Sequence, residues 1–153
     1  MTRNPPRRRW SSRPTDAPRV LLECAGPDSP EIIADVIRRE GYDVAVCTGP
    51  DGSHPCDLLT HGACELVDEA DVVVNLFHNR VGDEIGTHVA SIRRPPAMVN
   101  QTAPPSESRP GNPADPRVVT VGRRMDRSQL LASIREALRR RSGAGPVWGD
   151  GNP

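Results

Sequence analysis

Hydrophobic positions in this chain come in two kinds of pattern, short unbroken runs and stripes spaced three and four apart. The unbroken runs are Arg19-Val20-Leu21-Leu22-Glu23-Cys24, Tyr42 to Cys47, Ala70-Asp71-Val72-Val73-Val74-Asn75-Leu76-Phe77, Ala97-Met98-Val99-Asn100 and Arg117 to Val121. Runs of this length, rich in β-branched residues and apolar on both faces, read as strands of a parallel sheet covered by helices on both sides. The three consecutive valines make the third run the central strand. The stripes read as helices. One is Ile32, Ile33, Val36 and Ile37; another is Ile85, His88, Val89 and Ile92; the last is Leu130, Leu131, Ile134 and Leu138. A shorter helix over about Ala63 to Glu69 turns Leu66 and Val67 inward.

The punctuation agrees with the pattern. Asp28 or Ser29 caps the first helix, Pro30 suits its first turn, Glu31 completes an Asp-x-x-Glu box, and Gly41 stops it. Thr48 to Gly62 reads as a long loop. The third helix is expected over Gly82 to Arg94, with Asp83 as cap and Pro95-Pro96 ending it. Gln101 to Pro116 carries five prolines and takes no helix. Asp126 with Gln129 forms a second capping box. The order β-α-β-α-β-α-β-loop-β-α, with right-handed crossovers, predicts an α/β fold: a doubly wound five-stranded parallel sheet in the order 2-1-3-4-5. Strands one and three then flank the switch point, where Cys24 and Asn75 face one crevice.

Composition changes this picture at the ends. Hydrophobic residues make up only 35% of 153 positions, and 17 are proline. Residues 1–18 hold four prolines and five arginines against one acid, Asp16, and read as a disordered basic tail. Residues 142–153, mostly Gly, Pro and polar, read as a second disordered tail, leaving 19–141 as the folded domain. Net charge is zero, and all twenty basic residues are arginine, which excludes any mechanism needing a lysine. No apolar run reaches the roughly 20 residues of a membrane span, and no secretory signal is evident. The expectation is a cytoplasmic protein with no membrane partner. Aromatics at 3% argue against a base-stacking, nucleic-acid-binding surface. No dinucleotide fingerprint, phosphate-binding loop or nucleophile elbow occurs.

The segments Arg19-Val20-Leu21-Leu22, Asp35-Val36-Ile37-Arg38-Arg39-Glu40-Gly41 and Tyr42-Asp43-Val44 resemble the first βαβ unit of the receiver domains of bacterial response regulators. Val118 to Arg141, with Ser128-Gln129-Leu130-Leu131-Ala132-Ser133-Ile134-Arg135, is similar to the family's last strand and helix. The resemblance implies a flavodoxin-like fold and phosphorelay signal transduction. A histidine kinase would transfer a phosphoryl group to an aspartate ending strand three, and an acidic pair after strand one would hold Mg²⁺. Here the acceptor position falls on Asn75, or on Leu76 one residue on, and neither can form an acyl phosphate. The acidic pair falls near Cys24 and Ala25 beside Glu23, the hydroxyl position on Thr102, and the lysine position on Gly122 or Arg123. The resemblance thus implies a degenerate, non-catalytic receiver-like signalling domain lacking the phosphoacceptor aspartate. It would bind a partner or small ligand at the carboxyl ends of the strands, through Cys24, Asn75, Thr102 and Arg123. A protein partner would use strand five and the last helix.

Two further constellations carry chemistry. Cys47, Cys56 and Cys64 lie near His54 and His61 around the loop after strand two, and soft thiolates with imidazoles suit Zn²⁺. An iron–sulfur centre is the other group that such ligands suit, and no cofactor is firmly implied. The plainer reading of the same cysteines is as buried structural thiols, and a third is a redox pair of Cys56 with Cys64. Asp83-Glu84-Ile85-Gly86-Thr87-His88, following the valine run, is similar to nucleoside deoxyribosyltransferases, in which Glu84 would be a nucleophile; the plainer reading is that both acids favour a helix N-terminus. Asn75 likewise reads as a polar post in the crevice or as the cap of the following turn.

Overall fold

The computed structural model describes residues 7–8, 10–11, 16–50, 55–77, 80–101, 117–122 and 124–143. The strands are β1 (Arg7–Arg8), β2 (Arg19–Glu23), β3 (Asp43–Cys47), β4 (Val72–Asn75), β5 (Ala97–Gln101) and β6 (Val118–Val121). The helices are α1 (Pro30–Arg38), α2 (Asp57–His61), α3 (Glu65–Glu69), α4 (Arg80–Ala90) and α5 (Arg127–Arg141). They build one sheet in the order β1-β3-β2-β4-β5-β6. The last five of these pair in parallel, so the parallel strands follow the expected order 2-1-3-4-5.

The unbroken apolar runs are explained by what each face meets. Val72 and Val74 point into a cluster with Val20, Leu22, Val99, Ala34 and Ile37 of α1, and Leu130 and Ile134 of α5. Val73, between them, points into the opposite cluster with Leu21, Ala45, Met98, Leu58, Val67 and the α4 residues Ile85 and Val89. All three valines are fully buried. A strand sandwiched this way gains burial from both pleats, about 1.5–3 kcal/mol per side chain, so a polar residue on either face is disfavoured.

Asp71 fixes where β4 begins. Its Oδ2 accepts a hydrogen bond from the Arg19 main-chain N–H at 2.8 Å. Its own N–H donates to the Arg19 carbonyl at 2.8 Å, and its carbonyl accepts from Ala97 N–H at 3.1 Å. Its Oδ1 also receives the Arg141 guanidinium from the end of α5, at 2.5 Å. One acid therefore registers three adjacent strands and anchors the last helix.

Several boundaries differ from expectation for local reasons. Gly26–Asp28 forms a 3₁₀ turn, and Ser29 sits at φ 56° without a side-chain cap hydrogen bond, so the Asp28/Glu31 box does not form. Pro30 does open α1, and Gly41, at φ 91°, follows its end. Ile32 is 68% exposed, because it lies about 200° of helical turn from buried Pro30. The segment expected as loop contains α2, which buries Leu58 and ends at Gly62 in the left-handed region. Helix α4 begins at Arg80, so Asp83 lies within its first turn rather than capping it. The Asp126/Gln129 box is present in both directions: Gln129 N–H donates to Asp126 Oδ1 at 2.8 Å, and Asp126 N–H donates to Gln129 Oε1 at 2.9 Å.

The N-terminal stretch contributes more than the sequence suggested. Arg7–Arg8 pairs antiparallel with the outer edge of β3, and Trp10 packs against the α2–α4 side of the core. Thus part of residues 1–18, read from composition as tail, has a defined place, since an open strand edge offers main-chain partners to whatever segment lies nearest.

Candidate functional site

The parallel register lines up one residue from the end of each strand. Cys47, Glu23, Asn75, Asn100 and Thr120 are successive Cα partners across β3, β2, β4, β5 and β6. Each lies two residues beyond an apolar position of the α2–α4 face, Leu21, Val73 and Met98 among them, so the row belongs to that face. Glu23 and Asn75 are each 4% exposed. A polar band thus closes the apolar core at the carboxyl ends, where open α/β sheets place their sites.

Asn75 occupies the centre of the row. Its Nδ2 donates to the Gly82 carbonyl oxygen at 2.9 Å, and its Oδ1 accepts the Phe77 N–H at 3.3 Å. The second bond is an Asx turn, and the first reaches into the opening turn of α4. The side chain therefore holds the passage from β4 to α4. A Cβ on Gly82 would stand 2.6 Å from the Phe77 carbonyl oxygen, so the chain can close here only with glycine. Gly86, one turn later, passes over the row: a Cβ there would meet Asn100 Nδ2 at 3.6 Å and Asn75 Nδ2 at 3.9 Å. The Phe77 ring rests on Gly49, which follows β3 at φ 92°.

Glu23 lies beside Asn75. Burial pushes its carboxyl up to about 8, so it is neutral at pH 7. Its Oε2 and the Asn100 Oδ1 are buried without a hydrogen-bond partner among the described residues. A neutral acid next to two carboxamides makes this row a set of uncharged donors and acceptors.

Cys24 is fully buried, on the opposite face, within the α1/α5 cluster. Its thiol is pushed up to about 11, first by burial and then by the nearby Asp28 charge, and Sγ lies 3.7 Å from the Ala25 carbonyl oxygen. It is therefore held as a thiol. Cys47 and Cys56, both half-buried, and buried Cys64 pack on the α2–α4 side, so the fold separates them from Cys24. None of the four cysteines is in a disulfide. His61 ends α2, exposed. Among the described residues no group of three or more His, Cys, Asp or Glu side chains is placed to hold a metal ion. His54, Thr102 and Arg123 lie outside the described residues. Glu84 and His88 stand one turn apart on α4, the first exposed and the second half-buried.

The polar row itself was only partly legible. Asn75 interrupts a valine run and marks itself. Glu23 and Asn100 do so only once strand register pairs them with Asn75.

No protein-family model and no curated sequence matches the chain. Solved structures do match. A response regulator receiver domain protein from Bacillus halodurans is 16% identical, with a TM-score of 0.58, over 80% of this chain and 97% of that one. A CheY-like response regulator receiver domain protein from Methanospirillum hungatei is 12% identical, with a TM-score of 0.56, over 85% of this chain and 100% of that one. The chain has the receiver fold. Together with the parallel order 2-1-3-4-5, this places the Glu23–Asn75–Asn100 row at the carboxyl edge of a receiver-like sheet. The receiver domain of the hybrid histidine kinase CckA is also similar, at 14% identity and a TM-score of 0.51, over 78% of this chain and 98% of that one. Among the described residues no helix is long and apolar enough to cross a membrane.

Proposed function

We propose that this protein is a pseudo-receiver, a signalling and interaction domain that keeps the receiver fold without the phosphoryl-transfer chemistry. The observation that carries the reading is the state of Asn75. The central strand ends in a carboxamide whose two ends are both committed to the local backbone, at Gly82 and Phe77. An amide nitrogen or oxygen so engaged is no nucleophile toward phosphorus. The adjacent acid, Glu23, is neutral and buried, which makes it a poor ligand for a hard cation such as Mg²⁺. Binding would then involve the exposed turns that follow the strands, Gly26 to Ser29 after β2 and Pro50 after β3, rather than the closed row beneath them. A protein partner would take the β6–α5 surface, where Arg135 is exposed.

The test is phosphorylation by a small-molecule donor. With acetyl phosphate and Mg²⁺, the intact mass of the protein should remain unchanged, and a receiver with its aspartate serves as positive control. Formation of an acid-stable, base-labile acyl phosphate on any carboxylate of this chain overturns the reading.

A further inference from the structure

The outer edge of β3 is already occupied, and the occupant is imperfectly seated. Arg7 and Arg8 pair with Cys47 and Val46 in an antiparallel ladder only two residues long. Beyond it, Trp10 packs half-buried against the α2–α4 cluster, and the Arg19 guanidinium lies 5.4 Å from its ring centroid. The Ser11 N–H then donates to Asp43 Oδ1 at 3.0 Å, at the opposite end of β3. Arg7, Arg8, Trp10 and Ser11 therefore meet β3 and its flank at three points, by main-chain pairing, by an aromatic seat and by a carboxylate. Two buried polar atoms at these points stay without a hydrogen bond among the described residues: Trp10 Nε1 and Asp43 Oδ2. The nearest cation to the second, Arg19 Nε, stands 3.8 Å away, beyond hydrogen-bond reach. Each such atom carries a desolvation penalty that no hydrogen bond offsets. A two-residue ladder is also short for a strand pairing.

We infer that the β3 edge is a strand-addition docking site for an extended peptide with an aromatic anchor, and that Arg7 to Ser11 is its built-in competitor. Strand addition takes affinity from main-chain hydrogen bonds and specificity from side-chain pockets, and this edge supplies both. An exposed apolar edge strand such as Asp43-Val44-Ala45-Val46-Cys47 is a hazard when bare. Covering it in cis removes that hazard while leaving the site available, because the covering strand is tethered and joins the sheet by a ladder only two residues long. Tethering gives it an effective concentration of order millimolar, so a partner in trans must bind more tightly or arrive after the segment is released. A partner peptide that donated to Asp43 Oδ2 would make the hydrogen bond that the resident leaves unmade at the edge. This edge lies on the far side of the sheet from β6 and α5, so the inference is independent of the pseudo-receiver reading.

The experiment uses the full-length chain carrying Arg8→Pro and Trp10→Ala. Proline at position 8 removes a main-chain donor, and alanine at position 10 empties the aromatic seat. The probe is a fluorescein-labelled peptide with the sequence of Pro5 to Arg13, followed by fluorescence anisotropy. The double variant should bind it about tenfold or more tightly than the wild-type chain, since the competent state is no longer masked. The same peptide with its tryptophan replaced by alanine should bind about tenfold more weakly. Equal binding to both chains, or indifference to the tryptophan, overturns the inference. So does a double variant that fails to fold, because the segment would then be integral to the domain. In the wild-type chain, amides of Arg8 and Ser11 should exchange with solvent about a hundredfold faster than those of Leu21 and Val73. Exchange at the core rate also overturns it.

Discussion

Glu23 is the most informative single residue, because its burial is costly and no counter-charge among the described residues offsets it. Its carboxyl rises to about 8 from an ordinary value near 4.5, and the cause is desolvation. The folded state therefore holds a proton that the unfolded chain releases. Stability from this group is complete below about pH 4.5 and declines as pH rises, until ionisation of the folded form near pH 8 ends the loss. The full loss is on the order of 5 kcal/mol. Glu23→Gln keeps the shape and removes the titration. Urea unfolding should show the variant close to the wild type at pH 5 and more stable by several kcal/mol at pH 8.5. A wild-type stability that is flat between these pH values would contradict a buried, unpaired carboxyl. Asn75 makes the complementary point. From the sequence it could be a crevice ligand or a turn cap. Its hydrogen bonds to Gly82 and Phe77 show it holding the turn. That outcome needed the position of α4, which no local pattern encodes.

At the level of elements, helix ends were readable wherever the cap is local and misread wherever a neighbour intervenes. The box at Asp126 and Gln129 involves only residues three apart, and it forms as written. The box at Asp28 and Glu31 has the same spacing, but the preceding residues close into a 3₁₀ turn that rotates Ser29 into the left-handed region. Asp126→Ala should destabilise the protein by about 1 kcal/mol, measured by chemical denaturation. Restoration by Asp126→Ser would identify the loss as one of capping. Helix α2 was missed because Asp57 to His61 is too short to show a period. It exists because Leu58 finds a buried seat on the face shared with α4, and Gly62 ends it.

For the whole molecule, one sheet serves two cores. Ile85 of α4 and Ile134 of α5 lie on opposite faces, each essentially fully buried. Because the strands between them are common to both clusters, the faces should unfold together. Ile85→Ala and Ile134→Ala should each lower stability by about 2–5 kcal/mol while leaving a single transition, followed in parallel by circular dichroism and by the fluorescence of Trp10 in a Trp148→Phe background. Two separated transitions would mean that the faces are independent. The sequence by itself determined the five parallel strands, their order and the doubly wound architecture, to which the resemblance of particular segments added the receiver likeness. These depend on hydrophobic period and on crossover handedness, which act over short stretches of chain. It also singled out Asn75, since a polar residue ending a valine run is visible in one dimension. Only the tertiary structure decided which hydrogen bonds Asn75 makes, that Glu23 and Asn100 stand beside it, that Cys24 is parted from the other three cysteines, and that Arg7 and Arg8 pair with the β3 edge. Each of these depends on which strands are neighbours and which face a helix covers, and such long-range pairings leave no period in the residues that make them.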